Sequence, residues 1–162
     1  MPYRMTYSKY GEMRFIGHID LMQTIFRCLR RSGIDLEWTV GFNPRIKASF
    51  CPPLPLGLSG LQEFMDLWPA RSGDVGRMAS LIQREMPSGL KVVGLVFYPQ
   101  PPRPQAAKYR VIGEVIEGGE LDFQIDLAQG RYVNPVQHAV QATGLDKRRL
   151  LSLDFRRERF IF

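Results

Sequence analysis

Four prolines fall within the seven residues Tyr98-Pro-Gln-Pro-Pro-Arg-Pro104. Proline fixes φ and lacks a backbone N–H, so this run can enter neither a helix interior nor a central strand. The composition predicts a stiff, extended connector over residues 99–107. The connector divides the 162 residues into an N-terminal part, 1–98, and a smaller C-terminal part, 108–162. The length fits one domain, or two small ones that share a core.

The N-terminal part alternates strand and helix signals. Tyr3-Arg-Met-Thr-Tyr7 reads as a strand and Met13-Arg-Phe-Ile16 as a short extended lead-in. Ile19, Met22, Phe26 and Leu29 step by three and four, which predicts a helix over 19–31 with these residues as its core stripe. Asp20 lies in its first turn, Arg30 and Arg31 in its last, and Gly33 just beyond. Strands are expected at 35–40, 46–50, 62–68 and 90–98. Asp74 is positioned to cap a helix running to about residue 86. Beyond the prolines, strands at 108–115 and 121–127 flank the hairpin turn 116–120. Asn134-Pro135 opens a helix that Gly144 stops, and residues 150–162 read as a final strand. The expected class is α+β: a ferredoxin-like antiparallel sheet with helices on one face, followed by a smaller ββαβ half.

Charge adds a second constraint. The chain is +6 overall, and residues 1–50, 51–145 and 146–162 carry +4, −1 and +3. If the fold joins the two ends, they form one basic face suited to a polyanion or an acidic protein. A merely solvated surface accounts for the same numbers. No apolar run approaches the roughly 20 residues of a membrane span. No secretory leader follows Met1, and two cysteines make no disulfide scaffold, so a reduced cytoplasm is expected.

Cofactor motifs are missing. The glycines fit neither phosphate-loop pattern, and His18, His138, Cys28 and Cys51 have no metal-ligand spacing. Two cysteines cannot hold the three-cysteine iron–sulfur cluster of a radical SAM enzyme. No cofactor or metal is therefore expected on this chain. Among candidate catalytic residues, His18 beside Asp20 lies at a helix start, where the imidazole is kept neutral and can act as a base. A capping histidine would look the same. For binding, Gly41-Phe-Asn-Pro-Arg-Ile-Lys47 places Phe42, Asn43, Arg45 and Lys47 in one turn. Phe42 either stacks on a base or enters the core, while Arg45 and Lys47 either meet phosphates or water. Arg14, Ser49 and the terminal Arg156, Arg157 and Arg159 complete the candidates for nucleic-acid or partner contact. The 51–58 proline loop reads either as a docking surface or as a loop folded back on the sheet.

Two strings carry a resemblance. Tyr7-Ser-Lys-Tyr-Gly-Glu-Met-Arg-Phe-Ile-Gly-His-Ile-Asp-Leu-Met22, and Gly41-Phe-Asn-Pro-Arg-Ile-Lys-Ala-Ser-Phe50 with Leu54-Pro-Leu-Gly57 behind it, resemble the radical-SAM-linked protein family. That family is a domain of unknown function found fused to, or beside, B12-binding radical SAM proteins. The likeness covers residues 1–100 and runs on more weakly through the hairpin, Leu145 and the closing strand. It implies an accessory protein without catalysis of its own, partnered by a B12-binding radical SAM protein and presenting RNA or a ribosomal substrate. The positions carried over are His18, Asp20, Gly41, Phe42, Asn43, Pro44, Lys47, Ser49 and Phe50. Gly17 replaces the family's usual serine, which removes a side-chain cap. Arg45 replaces its usual histidine, which weakens a metal or acid–base role there. A fold-level likeness to CRISPR-repeat endoribonucleases implies a rival, a metal-independent ribonuclease with His18 as base. A stand-alone RNA-binding protein is the third expectation.

Overall fold

The computed structural model describes residues 1–128 and 133–162. The N-terminal part contains β1 (Tyr3–Lys9), a 3-10 turn (Gly11–Phe15), α1 (His18–Arg31), β2 (Ala48–Phe50), β3 (Ser59–Leu67), α2 (Val75–Glu85) and β4 (Leu90–Phe97). After the connector come β5 (Ala106–Ile112), β6 (Glu120–Asp126), α3 (Pro135–Thr143), α4 (Lys147–Ser152) and β7 (Asp154–Ile161). Seven strands make one sheet in the order β4-β1-β3-β7-β5-β6, with β2 also paired to β3. Every pairing is antiparallel except β3 with β7. The α+β class holds. Among the described residues, no helix is long and apolar enough to cross a membrane.

Local chemistry explains the element ends. The Asp74 carboxylate accepts from the Arg77 N–H at 2.6 Å and starts α2. The Asn134 side chain accepts from the Val136 N–H at 3.0 Å and starts α3. Gly144 ends α3 at φ 69°, a left-handed conformation that glycine adopts at little cost.

Three elements differ from expectation. Of residues 13–16 only Ile16 is extended, because the chain coils into the 3-10 turn through Phe15 before α1. Residues 35–40 form no ladder, and their strand-like pairings are the isolated bridges Leu36↔Pro69 and Trp38↔Ile46. The expected strand at 150–162 begins only at Asp154, since Asp146 accepts from the Arg148 and Arg149 N–H groups and nucleates α4.

Two apolar clusters lie along the sheet. Tyr3, Met5 and Tyr7 of β1 pack with Met65 and Leu67 of β3 under α1 and α2. Leu54, Leu58, Val111, Val136, Leu150 and Phe155 form the second cluster, so the 51–58 loop is built into it. α3 lies over the same face, because His138 and Tyr109 both contact the Phe123 ring. The opposite face carries ion pairs such as Arg110–Asp122 at 2.6 Å.

Candidate binding surface and the polar seam beneath it

α1 has two apolar stripes. Leu21, Ile25, Cys28 and Leu29 face the sheet. Ile19, Met22 and Phe26 sit roughly a quarter-turn away, and Phe26 is half-buried against Phe50, 5.6 Å between ring centres. Ile19 is 70% exposed, so of the expected core stripe only Leu29 is fully buried. The outer stripe and Arg30 of the same helix line a groove of about 460 Å³ whose other wall is Arg45 and Ile46.

The far side of this groove is an arm made by residues 35–47. The Glu37 N–H donates to the Trp68 carbonyl at 2.7 Å, and the Ala70 N–H to the Asp35 carbonyl at 2.9 Å, which fixes the arm to the end of β3. Across the arm, the Thr39 N–H donates to the Arg45 carbonyl at 2.8 Å and the Lys47 N–H to the Glu37 carbonyl at 2.8 Å. The Thr39 hydroxyl accepts from the Arg45 N–H at 3.0 Å. Gly41, at φ 142°, turns the tip in a conformation that favours glycine. Val40 and Phe42 stand fully exposed on that tip, and Trp38 is half-exposed under the Arg30 guanidinium, 5.7 Å away. Phe42 therefore does not enter the core. Large apolar side chains held out on an anchored, cation-flanked arm make it the candidate interaction surface.

Below the arm, the two apolar clusters meet at a polar seam. Glu63 of β3 accepts from Arg157 of β7 through Nε at 2.8 Å, with a second, shorter contact through Nη2. The same guanidinium donates to the Pro52 carbonyl at 2.9 Å and the Tyr109 hydroxyl at 3.3 Å. The Cys51 thiol donates to Glu63 at 3.3 Å. Burial, then the Glu63 charge, push that thiol far above its usual range, so it stays protonated. Burial, with Cys51 and Glu63 adding to it, likewise raises the Tyr7 hydroxyl. Lys9, 1% exposed, donates through Nζ to the Ile16 carbonyl at 3.0 Å and holds the entry to α1.

His18 is the first residue of α1. Gly17 supplies no side-chain cap. The His18 ring meets Phe50 edge-on at 6.1 Å. Burial, then the positive charges of Lys9 and Arg157, hold the imidazole below its usual value, with Glu63 opposing. It is therefore neutral near pH 7. Of the polar side chains that could assist it as a base, Tyr3 and Tyr7 are core residues, Lys47 pairs with Glu37 at 2.8 Å, and Ser49 registers opposite Asp66.

The remaining candidates separate. Asp20, Asn43 and Arg159 are exposed. Arg14 is half-buried over Phe15, 4.6 Å from the ring, and its carbonyl accepts from the Gly57 N–H, locking the proline loop. Arg156 pairs with Asp154 at 2.9 Å and Glu158 at 3.5 Å. Arg157 is interior and cannot serve a surface contact. Arg4 and Lys9 are interior as well, so with Arg157 three cations of the two basic chain ends are withdrawn from any basic face. Sequence reasoning missed Trp38, Val40 and the outer stripe of α1. The signal available was the alternation Leu36, Trp38, Val40 running into the glycine turn.

A family model described as "uncharacterized protein conserved in bacteria" matches residues 2–148. No curated protein matches the chain.

Proposed function

The chain belongs to DUF2344, a family of uncharacterized bacterial proteins, and from its exposed arm we propose that it is an adaptor that docks an enzyme partner rather than a catalyst. The observation carrying this reading is the arm itself: Val40 and Phe42 fully exposed at the tip of an anchored turn, beside an apolar groove rimmed by Arg30 and Arg45. Ordering such a tip in advance removes part of the entropy cost of association, and aromatic anchors flanked by arginine are favoured at binding centres. The partner class comes from the resemblance of residues 7–22 and 41–57: a B12-binding radical SAM protein, to which the adaptor presents RNA or a ribosomal substrate. Chemistry would then reside on the partner.

The test is capture of that radical SAM protein by tagged chain, with and without nuclease, using the parent and the double variant Val40→Ser/Phe42→Ser. The partner should survive nuclease, and the variant should weaken binding by roughly tenfold or more. Undiminished binding by the variant removes the arm from the interface. Recovery of only nuclease-sensitive, RNA-linked proteins overturns the adaptor reading in favour of RNA binding. A second reading, a metal-independent ribonuclease, rests on the neutral His18 imidazole. RNA cleavage that is lost in His18→Ala would establish it.

A further inference from the structure

The connector roofs a second pocket, on the face of the sheet away from the helices. Its volume is about 380 Å³, the size of one small planar ligand rather than a helix. Ser49, Phe64, Asp66 and Trp68 form its floor and walls, and Pro102 and Arg103 lie among the residues that close it above. Arg4 ties roof to floor: it donates to Asp66 at 2.8 and 3.0 Å and to the Pro102 carbonyl at 3.1 Å. Its guanidinium also stacks 4.1 Å from the Phe64 ring. The proline run is thus a fixed lid strap with its own anchor, not a free linker.

We propose that this pocket binds one unpaired nucleobase of a single-stranded RNA. Trp68 and the proline rings offer flat apolar surfaces, which suit stacking of any base. The Asp66 carboxylate has acceptor positions beyond its two bonds to Arg4, and Ser49 supplies an exposed hydroxyl that donates or accepts. Together these can meet a base edge. Arg103 is exposed at the rim, so a cation is placed for an adjoining phosphate. An acidic peptide would use Arg103 but not the aromatic and proline rings. The lining includes neither Val40 nor Phe42 of the arm's tip, and the inference stands whether or not the arm docks a partner.

Trp38 and Trp68 are the two tryptophans, so Trp38→Phe leaves Trp68 as a local probe. In that background, fluorescence is titrated with nucleoside monophosphates, a short single-stranded RNA and an acidic peptide. Saturable quenching by RNA is expected, weaker by roughly tenfold for the mononucleotides, which lack neighbouring phosphates. Ser49→Phe, an exposed position where a ring fills the mouth, should abolish quenching while leaving the thermal midpoint unchanged. Arg103→Glu should weaken RNA binding and lower the slope of log affinity against log salt by about one. Val40→Ser/Phe42→Ser should leave quenching intact, which separates this site from the adaptor surface. Absent quenching, quenching unchanged in Ser49→Phe, or a response to peptide alone would overturn the proposal.

Discussion

Arg157 is the largest of the fully buried side chains, and its place is set by one irregularity in β7. In Phe155-Arg-Arg-Glu-Arg-Phe160, simple alternation puts Phe155 and Arg157 on the same side. Phe155 is core, so Arg157 goes in with it. The register then shifts: Tyr109 pairs with Arg157 but Lys108 with Arg159, leaving Glu158 as an extra residue that turns Phe160 inward too. Sequence reading placed all three arginines on the surface because cations normally go there. The alternation signal was present, but the bulge and the Glu63 partner 94 residues away were not visible. Burying this pair costs desolvation of both ions, so its removal is not symmetric. Glu63→Leu or Arg157→Met alone leaves one buried charge unmatched and should cost about 3–5 kcal/mol. Glu63→Leu with Arg157→Met should recover most of that loss. Urea unfolding of the four proteins measures the coupling, and additive losses would show that the seam is not a paired unit.

α1 shows how an element can be located correctly and oriented wrongly. Its span, its first-turn Asp20 and its closing Gly33 all follow from local rules, as do the Asp74, Asn134 and Gly144 caps. The apolar arc of α1, however, is wider than one stripe, and only tertiary packing decides that Leu21 and Ile25 face the sheet while Ile19 faces the groove. The arm was misread as a strand for a related reason: it is held by a few bonds to the end of β3 rather than by a ladder. At the start of α1, burial and then the Lys9 and Arg157 charges disfavour the imidazolium, and a helix N-terminus acts in the same direction. The folded-state pKa of His18 is thus below its unfolded value of about 6.5. Its contribution to stability is complete above that value and is lost as pH falls toward the folded pKa. An NMR titration should find a His18 midpoint below the usual value of about 6.5. Urea midpoints should also fall less between pH 7.5 and pH 5.5 in His18→Gln than in the parent. A midpoint at or above the usual value would remove the basis for reading His18 as neutral.

At the scale of the molecule, the connector leads from β4, one edge strand, back to β5 at the far side of β7. The fold class was legible because strand and helix signals alternated in the order a split βαβ sheet needs. The seam was not, because β3 and β7 pair through only Ser59↔Arg156 and Gly60↔Arg157, with nothing local to announce them. Those contacts make residues 1–98 dependent on the C-terminal strands. Without β7, the Glu63 carboxylate loses its cation. Leu54, Leu58 and Phe64 lose the cover of the second cluster, and the start of β3 becomes a bare edge. The gap that Cys51 and Glu63 share with Arg157 would fill with water. A fragment comprising residues 1–98 should accordingly give a collapsed, poorly dispersed amide spectrum, whereas the full chain should unfold in one transition seen equally by Trp fluorescence and circular dichroism. A well-dispersed fragment spectrum, or two separate transitions in the full chain, would mean that each apolar cluster holds its own strands and that the buried pair joins units already folded.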